Sequence, residues 1–235
     1  MRTLGLSSVA FLCFPALAMV FLLTGYRTPQ AAEVASKTSA NRNEPTLIFR
    51  QIFKSSYPEY VKITVKQDGQ GSWDIRQLDE TPSPRPLHID ALLTQKLFAL
   101  ASDLHDFRGV KLDVHRRIAN LGQKTFYYRD GTQENQVTFN YTVNKAAQQL
   151  LAIFYGLQRQ ELDLSDMKRV MRYDQLGIND VILRVQRDVS EKLLPEPAVL
   201  LPTLDQIAAS SNLMDMSRRR ARAIAEQIRE AQSKN

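Results

Sequence analysis

The spacing of apolar residues divides this chain into four stretches. Residues 4–25 form one uncharged apolar run. Residues 27–45 are small and polar with no apolar period. Residues 46–158 mix two-residue alternation with helical spacing, and residues 159–235 keep helical spacing alone. Alternation marks a half-buried strand, because successive side chains leave opposite faces. A three-to-four-residue period marks one face of a helix. The segments are read as a signal peptide or membrane anchor (1–26), a flexible spacer (27–45), an α+β domain (46–158) and a helical region (159–235).

In the third stretch, β-branched and aromatic side chains predict a strand over 46–54. Val61, Ile63 and Val65 then alternate with Lys62, Thr64 and Lys66. Asp68-Gly69-Gln70-Gly71 is a turn in which glycine takes positive φ, and Trp73 and Ile75 return on one side. Residues 60–78 therefore predict a hairpin. Three prolines in 80–86 cannot continue a ladder, so a linker is expected there. Ile89, Leu92, Leu93, Leu97, Leu100, Ala101 and Leu104 share a helical face and predict a helix over 89–105. A second hairpin is expected from 125–129 and 137–143 around Asp130-Gly131-Thr132, with Val137, Phe139, Tyr141 and Val143 on one face. A helix over 145–157 follows, capped by Asn144 and striped by Leu150, Leu151, Phe154 and Leu157. The order βββαββα predicts an antiparallel sheet with one face covered by helices, since each layer hides the other's apolar side. Beyond it, helices are expected near 165–173, 181–194, 204–209 and 214–231, with Gly177 and Pro195, Pro197 and Pro202 as breaks. The fold class is α+β followed by a small all-α region.

The leading run is long enough to cross a bilayer core of about 20 residues. A cleaved signal has a shorter apolar region and small residues at its cut. Ala16-Leu17-Ala18 has that form, although residues 19–23 continue the run, and Ala31 and Ala32 offer a later cut. Both readings carry the body across the membrane if the positive end stays inside. Cys13 is the only cysteine, and Leu12 before it does not suit a lipid anchor. The body after the leader therefore has no thiol chemistry.

Composition changes this picture little. Apolar residues make up 43% and charged residues 24%, which suffices for a hydrophobic core. The net charge of +6 is spread thinly: residues 46–156 hold 14 basic and 11 acidic side chains, and residues 157–235 hold 13 and 12. That is not one concentrated field, so specific nucleic-acid binding is not expected. Arg218, Arg219, Arg220 and Arg222 fan around the last helix; they suit a solvated face or, less simply, an anionic partner such as lipid headgroups.

Candidate chemistry is sparse. His88 and His105 stand at opposite ends of one helix, roughly 25 Å apart at 1.5 Å per residue, and cannot share a metal. His105, Asp106, Asp113 and His115 would make an acid/base site if the intervening loop folds back. No nucleophile elbow, phosphate loop or dinucleotide loop occurs. No catalytic, cofactor or metal residue is assigned on this basis. Tyr127, Tyr128, Phe139 and Tyr141 read as sheet packing.

The stretch "PEYVKITVKQDGQGSWDI", followed by a helix and the "FYYRDGTQ" hairpin, resembles small exported bacterial domains of unknown function, over about half the chain. Residues 159–235 resemble the C-terminal region of uncharacterised exported acidobacterial-type proteins. The resemblance implies export and no known activity. The expectation is an exported or membrane-tethered, non-enzymatic binding or interaction module of the cell envelope, with a protein or envelope-surface partner. It would contact the membrane through residues 4–25 if the leader is not cut. The alternatives are a hydrolase at the His105–His115 cluster and a secreted inhibitor or ligand carrier.

Overall fold

The structure is a computed structural model that describes residues 44–114 and 117–234. Six strands form one antiparallel sheet: β1 (Thr46–Ile52), β2 (Tyr60–Lys66), β3 (Gln70–Arg76), β4 (Arg85–His88), β5 (Gln123–Asp130) and β6 (Gln133–Phe139). Their order across the sheet is β4-β3-β2-β1-β5-β6. The alternation read in the sequence sets the faces. Register aligns Trp73, Ile63, Phe49, Phe126 and Val137 in one row across the sheet, and all five are buried.

Helices cover that apolar face. α1 (Ala91–Asp103) is capped by Asp90, whose Oδ1 accepts from Leu93 N at 2.7 Å. α2 (Lys145–Tyr173) is capped by Asn144, whose Oδ1 accepts from Ala147 N at 3.1 Å. Phe154 of α2 stacks on Phe49 at 5.0 Å, and Phe126 lies between Phe107 at 5.4 Å and Phe139 at 5.2 Å. The expected α+β fold, an antiparallel sheet with helices on one face and more helices after it, is what the chain adopts. The later helices are α3 (Ile178–Ser190), α4 (Leu201–Ala209) and α5 (Asp215–Ser233). They form a second apolar cluster around Ile182, Leu204 and Ile224, and the C-terminal half of α2 enters it through Met167 and Val170.

Four expectations are corrected. The proline-bearing linker ends in a strand: β4 pairs with β3, Pro86 opposite Ser72. An edge position tolerates proline because its missing N–H is needed on one side only. The helices expected at 145–157 and 165–173 are one helix of 29 residues. The second arm of the later hairpin begins at Gln133 and ends at Phe139, so Tyr141 and Val143 are exposed rather than part of the inner face. Leu92, expected on the buried stripe of α1, is 79% exposed, while Thr94 is buried and donates to Asp90 O at 2.7 Å.

Gly69 takes φ +80°, as its turn requires. A Cβ there would meet Ile89 O at 2.5 Å, on a segment whose amide donates to Gly69 O at 2.9 Å. Among the described residues no helix is long and apolar enough to cross a membrane. The run at 4–25 lies outside the described residues.

Candidate functional site

The apolar stripe of α2 runs through Ala147, Leu150, Phe154 and Leu157, then Gln160 and Asp163, then Met167 and Val170, all buried. Two polar side chains thus occupy positions that face inward, and each is met by a neighbour. Gln160 Oε1 accepts from Glu196 N at 3.0 Å. Asp163 Oδ1 accepts from Arg184 Nε of α3 at 2.8 Å. Arg184 also donates through Nη2 to Asp166 Oδ2 at 2.7 Å. One turn further along α3, Asp188 is fully buried, and its Oδ1 accepts from Arg159 Nη1 at 3.0 Å and Arg187 Nε at 3.3 Å.

Asp163, Asp166 and Asp188, with Arg159 and Arg184, line a cleft of about 460 Å³ between α2, α3 and the loop joining β1 to β2. The loop contributes Phe53, Ser56, Tyr57 and Pro58, and α2 contributes Tyr155 and Gln158. Tyr57 is 87% exposed, and the Tyr57–Pro58 peptide is cis. Glu59 holds the loop, accepting from Ser55 N at 2.7 Å and Leu78 N at 3.2 Å. Those two amide hydrogen bonds keep its carboxyl below the usual carboxylate range.

Burial pushes the Asp163 carboxyl up to about 6, against the hydrogen bond from Arg184; the nearby Asp188 adds to the rise. Among the described residues no group donates to Asp163 Oδ2, Asp188 Oδ2 or Gln158 Oε1, although all three are buried. All three are acceptors in residues that line the one cleft. A buried acceptor without a donor costs about 1–3 kcal/mol.

A second, larger groove of about 950 Å³ lies against another face of α2. Its lining includes Trp73 and Arg85 from β3 and β4, and Glu161, Lys168, Arg169 and Arg172 from α2. The Arg85 guanidinium sits 5.1 Å from the Trp73 ring centre, and Arg172 sits 5.8 Å from that of Tyr173. Burial raises the Glu161 carboxyl, opposed by Lys168 and by a hydrogen bond from the Trp73 side chain.

The residues singled out from sequence lie elsewhere. His105 is exposed and Asp106 half-buried, and they belong, with Phe107, to one turn in which all three take positive φ (53°, 50° and 64°). Phe107 is buried against Phe126 and anchors it. Asp113 Oδ1 accepts from the backbone of Asn140 at 2.9 Å and Tyr141 at 3.4 Å, tying the loop after α1 to the end of β6. His115 lies outside the described residues. His88 ends β4. Tyr127 lies 5.1 Å from the Arg50 guanidinium, and Tyr128 meets Phe98 edge-on at 6.3 Å, both as sheet packing. In α5, Arg219 pairs with Asp215 at 3.0 Å and Arg220 donates to Asn179 Oδ1, while Arg222 is exposed. Among the described residues no three His, Cys, Asp or Glu side chains gather as metal ligands.

Asp163, Asp188, Arg159 and Arg184 were not read from the sequence. The available signal was a polar residue on an apolar stripe: continuing the α2 period past Leu157 lands on Gln160 and Asp163 before apolar residues resume. The fold and its cleft define an α+β protein with a charged pocket at the sheet–helix border. No protein-family model matches the chain, and no curated protein matches it.

Proposed function

We propose that this chain is a non-enzymatic binding module, exported or membrane-tethered, that takes a small hydrogen-bond-donating ligand in the carboxylate cleft. One observation carries the reading. Asp163 and Asp188 are 1% and 0% exposed, and each keeps an oxygen to which no described group donates. Their arginine partners are committed to the other oxygen. A ligand that brings N–H or O–H groups relieves that deficit, and the volume suits a small molecule. The Arg159 and Arg184 side chains are 43% and 38% exposed, so their heads can turn outward and open the way.

Calorimetric titration of the full-length protein with amines, guanidines, polyols and amides tests this. At least one class is expected to bind, and Tyr57→Ala, at an exposed position, is expected to weaken that binding. Binding by no class, or binding indifferent to both Tyr57→Ala and Asp163→Asn, would overturn the reading. The exported address rests on the uncharged run at 4–25, and a protein or surface partner in the envelope follows from it. Recovery of the chain from the host cytoplasm with Met1 intact would sink that address.

The alternative, a hydrolase using His105, Asp106, Asp113 and His115, draws on the left-handed turn at His105–Phe107, since strained backbone collects at functional sites. The backbone hydrogen bonds of Asp113 favour a structural role for that residue. Hydrolysis of ester or amide substrates that His105→Ala abolishes would favour the enzyme.

A further inference from the structure

Glu161, Ser165, Lys168 and Arg172 recur at four-, three- and four-residue spacing and so share a face of α2 distinct from that of Asp163. That face forms one side of the larger groove, and the β3–β4 edge forms another. Four of the lining side chains are cations: Arg85, Lys168, Arg169 and Arg172. Only Glu161 is an acid. Arg169 leans away to Asp166 at 3.4 Å. Among the described residues Arg85, Lys168 and Arg172 form no ion pair. All three are exposed to solvent within a concave surface.

We propose that this groove is an anion site that takes a phosphate-bearing ligand. Three cations, brought together from two elements, share the single half-buried carboxylate of Glu161, which Lys168 and Arg85 both act on; they outnumber it, repel one another and gain from an anion placed between them. Arg85 and Arg172 lie over the Trp73 and Tyr173 rings, 5.1 Å and 5.8 Å from their centres. The attraction of a cation to a ring face uses none of the guanidinium's hydrogen-bonding capacity and leaves its N–H donors for a ligand. A phosphate ester carries one to two negative charges and several acceptor oxygens, matching a set of point and forked donors better than a single carboxylate does. The groove, at about 950 Å³, exceeds what a bare phosphate fills. Leu164, Met171 and the 76%-exposed Tyr173 offer an apolar bed for the organic remainder of the ligand. The phosphate comes either from a soluble ester or from a lipid headgroup, and the same donors serve both.

Trp73 is the only tryptophan in the chain and lines the groove, so its fluorescence reads occupancy directly. The full-length protein is titrated with phenyl phosphate and glycerol phosphate. In parallel it is mixed with vesicles of phosphatidylglycerol or of phosphatidylcholine. A saturable change in Trp73 emission is expected, lost at about 0.5 M salt through screening. Lys168→Ala with Arg172→Ala, both at exposed positions, is expected to weaken it roughly tenfold or more. Glu161→Gln, which removes the one repelling charge and keeps an acceptor for Trp73, is expected to strengthen it. A response to the soluble esters assigns a free phosphate ester. A preference for phosphatidylglycerol that the double variant removes assigns a headgroup, because the uncharged run at 4–25 does not depend on those two side chains. Either result supports the site. Absence of both, or a response unchanged in the double variant, overturns it, whatever the carboxylate cleft binds.

Discussion

Glu196 is a carboxylic acid at 8% exposure in the connector between α3 and α4. Its Oε1 accepts from Asp90 N at 2.6 Å, at the cap of α1, while Gln160 of α2 accepts from its own amide. Burial pushes its carboxyl up to about 7; a hydrogen bond with the Asp90 side chain and the charges of Asp90 and Glu161 add to this, against the Asp90 backbone amide. The folded protein therefore holds a proton that the unfolded chain, near 4.5, has already released. The stability from that proton is complete below 4.5 and is lost as pH rises through 7. Asp163 acts in the same sense between its ordinary 3.8 and about 6. The protein is expected to be less stable at pH 8 than at pH 5, by on the order of 3 kcal/mol from Glu196 alone. Urea midpoints at the two pH values measure this. Glu196→Gln is expected to flatten the difference, and an unaltered slope in that variant would remove Glu196 as the cause.

At the scale of elements, α2 decides most of the architecture, and one glycine shows how closely it is packed. A Cβ on Gly156 would lie 2.7 Å from both Leu193 O and Pro195 Cδ. Gly156→Ala gains up to about 1 kcal/mol of helix propensity, but the backbone carbonyl it meets has little room to move. A net loss of about 1–3 kcal/mol is expected, read as a lower urea midpoint; a stabilised variant would contradict the contact. The elements legible in the sequence were those whose burial is decided locally. The 60–78 hairpin, the capped start of α2, and Gly69 follow from period and turn chemistry alone. Elements decided by distant partners were not legible. β4 exists because β3 offers it an edge despite Pro86. α2 continues through Gln160 and Asp163 because Glu196 and Arg184, tens of residues away, satisfy them. The cleft escaped notice for the same reason, since its carboxylates come from two helices and its rim from a third segment. His88 and His105, conspicuous as residue types, have no such side-chain partners among the described residues.

Across the whole molecule, two apolar clusters share α2. One contains Phe154 and Leu157 together with the sheet; the other contains Met167 and Val170 together with α3, α4 and α5. A continuous helix transmits loss of order, because fraying one half removes the hydrogen-bonded neighbours of the other. Ile182→Ala, at a fully buried position in the second cluster, is expected to destabilise by about 2–5 kcal/mol. It is expected to lower the unfolding midpoint reported by Trp73, which belongs to the first cluster. A Trp73 transition that stays put while circular dichroism shifts would mean that the two halves melt separately. The same helix separates two polar surfaces of opposite character, with buried carboxylates each keeping one oxygen that no described group donates to on one side and a groove in which cations outnumber acids on another.

The proline in β4 bears on what happens when many copies are concentrated. A sheet ends where its last strand has amides and carbonyls that a neighbouring molecule could take up, and that rim is the seed of fibrils. On one side of this sheet the outermost strand, β4, is only four residues long. Pro86 removes one of its amides, and Pro82 and Pro84 precede it. Copies meeting rim to rim along β4 find a short, interrupted template, so this border resists the stacking that a longer unbroken strand would invite.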